Sequence, residues 1–328
     1  MKVSTGINGF GRFGQHLLKY WIEQKHKTFR IDYINDAHLS LEKSWDLITT
    51  DRYLGTFFRE HLSRTNQGFS VQLPDGENHE IIYSQQQDTE ISWIGKPIIF
   101  LECTGRNTDA EKCQQFLQDN TTHVLISATS LNADALLVYG FNAQDLKPEW
   151  QTISYGSCTV NAFVPLAHFI DQAYGINDCD VTVIHNVPEY QLEDTLIRKE
   201  CTLETVAPRL LSFTTPNNFT VNYTLIPYTG VSMIDFRFNV KQTPNKEELL
   251  HSLKETSKIG RLQGLYKIVD TDQGPHPHKF TKYSAVLVAS TTKIVGNNIY
   301  IHAYFDNENS VNRFFDMTQH IIEAAYGR

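Results

Sequence analysis

The 328-residue chain is short of several things, and each shortage excludes a class of protein. No apolar run approaches the roughly 18 residues that span a bilayer, so no membrane partner is expected. The opening "MKVSTGINGF" has no apolar stretch leading to a small-residue cleavage site, which leaves the cytoplasm as the expected compartment. Cysteine is sparse and odd in number: Cys103, Cys113, Cys158, Cys179 and Cys201, with no C-x-x-C pair, argue against a disulfide framework or a structural zinc site. The 13 histidines are too dispersed to suggest a metal centre. Basic residues are scattered and the formal net charge is −8, so no electrostatic footprint for nucleic acid is visible. Internal repeats and low-complexity tracts are absent too.

What is present reads as an ordinary globular chain. Hydrophobic residues make up 41% and charged residues 20%. The length exceeds what one hydrophobic core usually serves, so two domains are expected.

The first half opens with "KVSTGINGFGRFGQHLLKYWIEQ", a strand-like stretch, a glycine turn, then Leu17, Leu18 and Trp21 at helical spacing. Each glycine has a reason. Gly9 allows the tight turn, Gly11 lets backbone approach a pyrophosphate, and Gly14 permits close helix-to-strand contact, with the helix N-terminus facing the phosphates. "FRIDYINDA" supplies a second strand ending at Asp36, about 20 residues past the glycines. A carboxylate there accepts from ribose hydroxyls and repels a 2′-phosphate, so NAD is expected over NADP. The runs "KPIIFLECTG" and "THVLISATS" read as buried parallel strands whose ends bring Thr104, Gly105, Ser127 and Ala128 toward the cofactor. "ADALLVYGFN" reads as another strand.

In the second half, "SYGSCTVNAF" places Cys158 at the start of an amphipathic helix with Phe163, Leu166, Phe169 and Ile170 on its apolar face. A thiol at a helix N-terminus gains thiolate character from the dipole. "CDVTVIHNVPEY" then delivers His185 on a β-branched strand. A lone cysteine is most often a small core residue and a lone histidine a satisfied one. Together, behind a cofactor domain, they form the minimum for covalent catalysis.

In order and spacing, "INGFGRFG", "ECTG", Ser157-Cys158-Thr159 with Asn161, His185, and "YFDNE" followed by "NR" resemble the phosphorylating glyceraldehyde-3-phosphate dehydrogenase family over nearly the whole chain. The resemblance implies an α/β Rossmann-type dinucleotide-binding domain at 1–156 with a C-terminal helix at 311–328. It also implies an α+β catalytic domain at 157–310 with a mixed or antiparallel sheet. It further implies NAD as cofactor, held by Asn8, Gly9, Phe10, Gly11, Arg12, Phe13, Asp36, Thr104, Gly105, Ser127 and Asn307. Cys158 would form a thiohemiacetal and then a thioester with His185 as base, and phosphate would release the product. The implied partners are a small phosphorylated aldehyde, inorganic phosphate and further copies of the chain, as a dimer or tetramer.

The sequence departs from that family where a substrate phosphate would be gripped. The arginine expected before "V-P-T" is Leu225, and the expected "H-A-x-T" reads His185-Asn186-Val187-Pro188. The segment between His185 and Leu225 is shortened, leaving Thr214 and Thr215 before Pro216 as a candidate threonine pair. Ser157 and Thr159 remain as hydroxyl donors, with Arg198, Lys199 and Arg209 as candidate replacement cations. Three readings stay open: a phosphorylating aldehyde dehydrogenase, one that takes a different aldehyde or releases the acid to water, and an NAD-binding paralogue of weak activity.

Overall fold

The computed structural model describes residues 2–74, 76–187, 192–227, 230–308 and 310–327. The chain divides into two compact units. The first comprises residues up to Leu137, Ala143–Gly156 and the segment from Phe314 onward; the second comprises Val138–Asn142 and Ser157–Arg313.

The first unit is built on β1 (Val3–Asn8), α1 (Arg12–Glu23), β2 (Phe29–Asn35), α2 (Leu41–Thr50), α3 (Gly55–His61), β3 (Leu62–Arg64), β4 (Gly68–Gln72), β5 (Asn78–Ser84), β6 (Ile99–Glu102), α4 (Ala110–Cys113), β7 (His123–Ile126), β8 (Ala135–Leu136) and β9 (Thr152–Ser154). Its described strands form one sheet in the order β3-β4-β5-β2-β1-β6-β7-β9-β8. From β5 to β8 the pairings are parallel, and an antiparallel edge of β3 and β4 is added. This is the expected Rossmann-type layer. α1 forms because Leu17, Leu18, Trp21 and Ile22 recur on one buried face. β6 and β7 are buried at every position, as strands covered on both faces must be. Because β1 pairs β2 on one side and β6 on the other, the strand order reverses there, at Asn8 and Glu102.

One expected strand is nearly absent. "ADALLVYGFN" gives only the two-residue β8, because the Val138 N–H donates to Asn142 Oδ1 at 2.7 Å and Gly140 sits at φ +81°, turning the chain.

The second unit contains α5 (Cys158–Tyr174), β10 (Ile176–Val187), β11 (Ile197–Lys199), α6 (Thr202–Leu210), β12 (Phe219–Pro227), β13 (Val231–Val240), α7 (Lys246–Lys258), β14 (Tyr266–Val269), β15 (Ala285–Val288), β16 (Lys293–Val295) and β17 (Asn298–Asp306). Its sheet runs β11-β12-β10-β13-β17-β15-β14, with β16 on β17, and mixes parallel and antiparallel pairs as expected. Along β10, Cys179, Val181 and Val183 are buried while Asp178, Asp180 and Thr182 between them are half-buried. That alternation presents one face to α5, whose Phe163 ring stacks on Phe219, Phe236 and Phe238 at 5.1, 6.1 and 6.0 Å.

The chain ends in α8 (Ser310–Tyr326). Within the first unit, Phe314 meets Phe13 edge-on at 5.3 Å, and Gln319 Oε1 accepts from the Thr28 N–H at 3.1 Å.

Candidate active site and cofactor cradle

The glycine turn separates packing from ligand room. Gly9 adopts φ +96°, and a Cβ there would lie 2.7 Å from the Thr104 nitrogen. A Cβ on Gly14 would lie 2.3 Å from the Gly9 carbonyl oxygen. Both must stay bare for β1, α1 and β6 to meet. Gly11 differs: a Cβ there meets no protein atom within 4 Å, so the open space at this position is room for a diphosphate rather than for the fold. Gly11 is the N-cap of α1 with no side-chain hydrogen bond, and no acidic residue occupies the first turn. The N–H donors and positive dipole end are therefore uncompensated and suited to an anion.

Asp36 follows the last residue of β2. Its Oδ2 accepts from the Phe10 N–H at 2.9 Å, and its Oδ1 accepts from the His38 and Leu39 N–H groups at 2.9 and 3.0 Å. Three of about four lone-pair sites are filled, leaving acceptor capacity for a ribose hydroxyl. The residues present thus fit NAD.

Other members of the expected cofactor set contribute backbone more than side chain. Phe10 and Phe13 are ring-packed, Phe10 on Phe69 and Tyr83 at 5.8 and 6.2 Å and Phe13 on Phe314 and Tyr155. The Asn8 amide donates to Glu102 and Asp88, both at 2.9 Å, and accepts from Asn35. Thr104 donates its N–H, at 2.7 Å, and its hydroxyl to Glu102. Burial pushes the Glu102 carboxyl up, and the Thr104, Asn107 and Asn8 donors hold it back. Arg12 lies 3.6 Å from Asp51, Gly105 is exposed, and Ser127 and Ala128 are half-buried beyond β7.

In the second unit, α5 begins at Cys158 because Ser157 caps it, its hydroxyl accepting from the Val160 N–H at 3.4 Å. Helix and strand run so that the Cys158 sulfur lies 3.7 Å from His185 Nε2. The backbone N–H groups of Cys158 and Thr159 lower the thiol, but burial outweighs them and, with Cys201 nearby, pushes it up to about 12. Burial likewise pushes the His185 imidazole down to about 4, with the Asn186 backbone and Glu308 pulling weakly upward. Burial thus favours a thiol beside a neutral imidazole, against the ion pair that the helix dipole favours. His185 Nδ1 is buried and has no hydrogen-bond partner among the described residues. The imidazole sits between the rings of Tyr223 and Phe305, at 5.6 and 5.8 Å.

Asn307, the candidate carboxamide anchor, is tied to the strand that carries the imidazole. Its amide donates to the Asn186 carbonyl at 2.6 Å and accepts from the Ser232 hydroxyl, while the Asn186 N–H donates to that hydroxyl at 2.9 Å.

The candidate phosphate residues are not all gathered at the sulfur. The Ser157 and Thr159 hydroxyls are 3.3 Å apart beside it, and Thr159 Oγ1 is 3.7 Å from Cys201 Sγ. Thr214 and Thr215 lie elsewhere. In the parallel pairing of β10 and β12, His185 opposes Leu225 and Cys179 opposes Phe219. The threonines precede Phe219 and so lie about 20 Å or more along the strand from Leu225. Their hydroxyls close local turns, donating to Leu211 O and Asn218 Oδ1, both at 3.0 Å. Arg209 is exposed toward the far end of α6, about 12 Å of helix beyond Cys201. Arg198 reaches Asn222 at 3.4 Å, and Lys199 is exposed opposite Tyr223. Pro188 lies outside the described residues.

Sequence reasoning missed Tyr223, Phe305, Cys201, Glu308 and the Glu102 hub. Glu102 lies within the "ECTG" motif and Phe305 and Glu308 within "YFDNE", and alternation along "FTVNYTLIP" puts Tyr223 and Leu225 on one face.

A glycine-turn dinucleotide fold followed in the same chain by a mixed-sheet unit bearing a thiol–imidazole pair is the build of an NAD-dependent dehydrogenase. Residues 3–110 match the family model for the glyceraldehyde 3-phosphate dehydrogenase NAD binding domain, and residues 157–307 match that for its C-terminal domain. The chain belongs to the glyceraldehyde-3-phosphate dehydrogenase family, as a divergent member. Among its relatives, the chloroplastic glyceraldehyde-3-phosphate dehydrogenase A of Chlamydomonas reinhardtii is 26% identical over 94% of this chain and 85% of that protein. The Cereibacter sphaeroides glyceraldehyde-3-phosphate dehydrogenase is 26% identical over 94% of this chain and 95% of its own length. The cytosolic enzyme of Pisum sativum is 25% identical over 83% of each chain. No helix among the described residues is long and apolar enough to cross a membrane.

Proposed function

We propose that this dehydrogenase oxidises an aldehyde through Cys158, with His185 as its base and inorganic phosphate as the acyl acceptor. The observation that carries the reading is the 3.7 Å approach of the Cys158 sulfur to His185 Nε2 at the N-terminus of α5. The sulfur attacks the carbonyl carbon while His185 relays the thiol proton to the carbonyl oxygen, giving a thiohemiacetal. The Cys158 and Thr159 N–H groups stabilise the oxygen as charge develops on it. Bound NAD would supply the hydride acceptor, and Gly9, Gly11 and Asp36 are the residues we assign to holding it. As the hydride leaves, His185 takes the hydroxyl proton and a thioester remains on Cys158. Phosphate then attacks that carbonyl, the sulfur leaves, and the imidazolium returns its proton to it.

The test is NADH formation with glyceraldehyde 3-phosphate and with unphosphorylated aldehydes, with and without inorganic phosphate. Cys158→Ser is expected to abolish turnover while NAD still binds; undiminished turnover in that variant would overturn the assignment. A phosphate-independent rate would favour release by water.

The raised thiol favours one other reading, an NAD-binding paralogue of weak activity. Retained NAD binding without turnover of any aldehyde would select it.

A further inference from the structure

We infer that Glu102 is a positioning residue of the dinucleotide cradle, acting through Thr104 and Asn8 to hold in register the two turns that form it. The inference rests on the NAD assignment above, and neither Cys158 nor His185 enters it. β1 and β6 run side by side and end together, with Asn8 opposite Glu102. The turn that leaves β1 carries Gly9 and Gly11, and the turn that leaves β6 carries Thr104 and Gly105. Where the turns meet no side chain fits, since a Cβ on Gly9 would lie 2.7 Å from the Thr104 nitrogen. Each turn also bares a glycine to open space: a Cβ on Gly105, as on Gly11, would meet no protein atom within 4 Å. One carboxylate reaches both turns. Its Oε1 accepts from the Thr104 N–H at 2.7 Å and from the Thr104 hydroxyl, whose oxygen accepts from the Arg106 N–H at 3.0 Å. Its Oε2 accepts from the amides of Asn8 and Asn107 at 2.9 and 3.1 Å.

Folding alone does not call for a charge here. Ile99, Phe100 and Leu101 fill β6 with buried apolar side chains, and a fourth would end the strand with no charge to desolvate. Glu102 is 1% exposed instead, and its four donors are all uncharged, so burial pushes the carboxyl up. What the carboxylate secures is geometry. The donors it gathers come from the end of β1 and from the turn after β6, where the strand order reverses and open α/β sheets bind their ligands. Asp88 accepts from the same two amides, each at 2.9 Å, so both face carboxylates and the Asn8 carbonyl is left to the Asn35 amide. With every partner a donor, a glutamine is no equivalent: its NH2 group would face either Thr104 or the two asparagines.

The experiment titrates NAD into the full chain by calorimetry, which needs no aldehyde, and follows thermal melting in parallel. Glu102→Gln is expected to weaken NAD binding at least tenfold with the number of sites unchanged. With an aldehyde substrate the change should fall on KM for NAD, with kcat lowered less than threefold. Thr104→Val keeps the shape and removes the hydroxyl, and is expected to weaken binding at least threefold. The double variant should lose less than the two single losses combined, because both act through one turn. Should Glu102→Gln fail to fold, Thr104→Val carries the test alone, and undiminished affinity there overturns the inference. Fewer binding sites at wild-type affinity in Glu102→Gln would mark a purely structural role and overturn it, as would single losses that simply add. Absence of NAD binding in the unmodified chain overturns the NAD assignment itself and this inference with it.

Discussion

Cys158 and His185 are held apart from their charged forms by the same cause, removal from water, and that determines how they share a proton. An imidazole held down to about 4 is unprotonated across the physiological range, so it is always ready to accept. Its loss as a base comes only when it protonates. The acid limb of kcat/KM is therefore expected below about pH 5 rather than near the ordinary histidine value, and His185→Gln should lower kcat/KM by about 10² to 10⁴. A limb between pH 6 and 7 in the unmodified protein would contradict this. The thiol makes the complementary prediction. Pushed up to about 12, its thiolate fraction grows about tenfold per pH unit, so the iodoacetamide alkylation rate of Cys158 in the ligand-free protein should keep rising from pH 7 to pH 10. A plateau by pH 8 would instead mark a thiolate–imidazolium pair. The sequence named both residues, since a cysteine at a helix start and a histidine on the next strand are local features. It could not supply their electrostatics, which depend on how deeply Cys201, Tyr223 and Phe305 bury them from distant parts of the chain.

Elements whose boundaries are set locally were the legible ones. The glycine turn joins β1 to α1, the apolar runs at "KPIIFLECTG" and "THVLISATS" became β6 and β7, and the helix starting at Cys158 follows from its serine cap. The "ADALLVYGFN" run failed because the Val138 N–H bond to the Asn142 side chain and a positive φ at Gly140 outweigh its apolar character. The place of the Thr214–Thr215 pair was not legible, because only strand register reveals which end of β12 it precedes. Two glycine substitutions separate what the turn does for the fold from what it does for the cofactor. Gly14→Ala forces a Cβ to 2.3 Å from the Gly9 carbonyl oxygen and should cost about 1–3 kcal/mol of stability. Gly11→Ala meets no protein atom, and φ −73° is open to alanine, so stability should change by no more than about 0.5 kcal/mol. NAD affinity should nevertheless fall at least tenfold in Gly11→Ala, because the methyl group occupies the diphosphate's approach. Thermal melting and NAD titration of the two variants give the check, and undiminished affinity in Gly11→Ala would remove Gly11 from the cradle.

At the scale of the whole molecule, the titrating groups that burial displaces are unevenly divided between the two units. The second unit holds three lowered histidines, His168, His185 and His278, against one raised carboxyl, Asp306 at about 6. The first holds the lowered His123 and the raised Glu102. A lowered histidine binds fewer protons folded than unfolded, so its contribution is complete above its ordinary 6.5 and is lost as pH falls toward its folded value. For His185 alone that is up to about 3 kcal/mol, reduced by the ring's partial contact with solvent. A raised carboxyl works in the opposite sense: Asp306 destabilises the folded state above about pH 6, and that cost is relieved as it protonates between pH 6 and 4. Three histidines against one carboxyl leave the second unit losing stability on acidification, while in the first a single histidine is set against a single carboxyl. All four tryptophans, Trp21, Trp45, Trp93 and Trp150, belong to the first unit, so their fluorescence follows that unit alone. Between pH 6.5 and 4.5, hydrogen exchange in β10, β12 and β13 should therefore accelerate well before the tryptophan-detected urea midpoint moves. His185→Gln, which removes the largest resolved share, should delay that acceleration. Equal acid sensitivity in the two signals would mean that the buried histidines do not govern how this protein responds to pH.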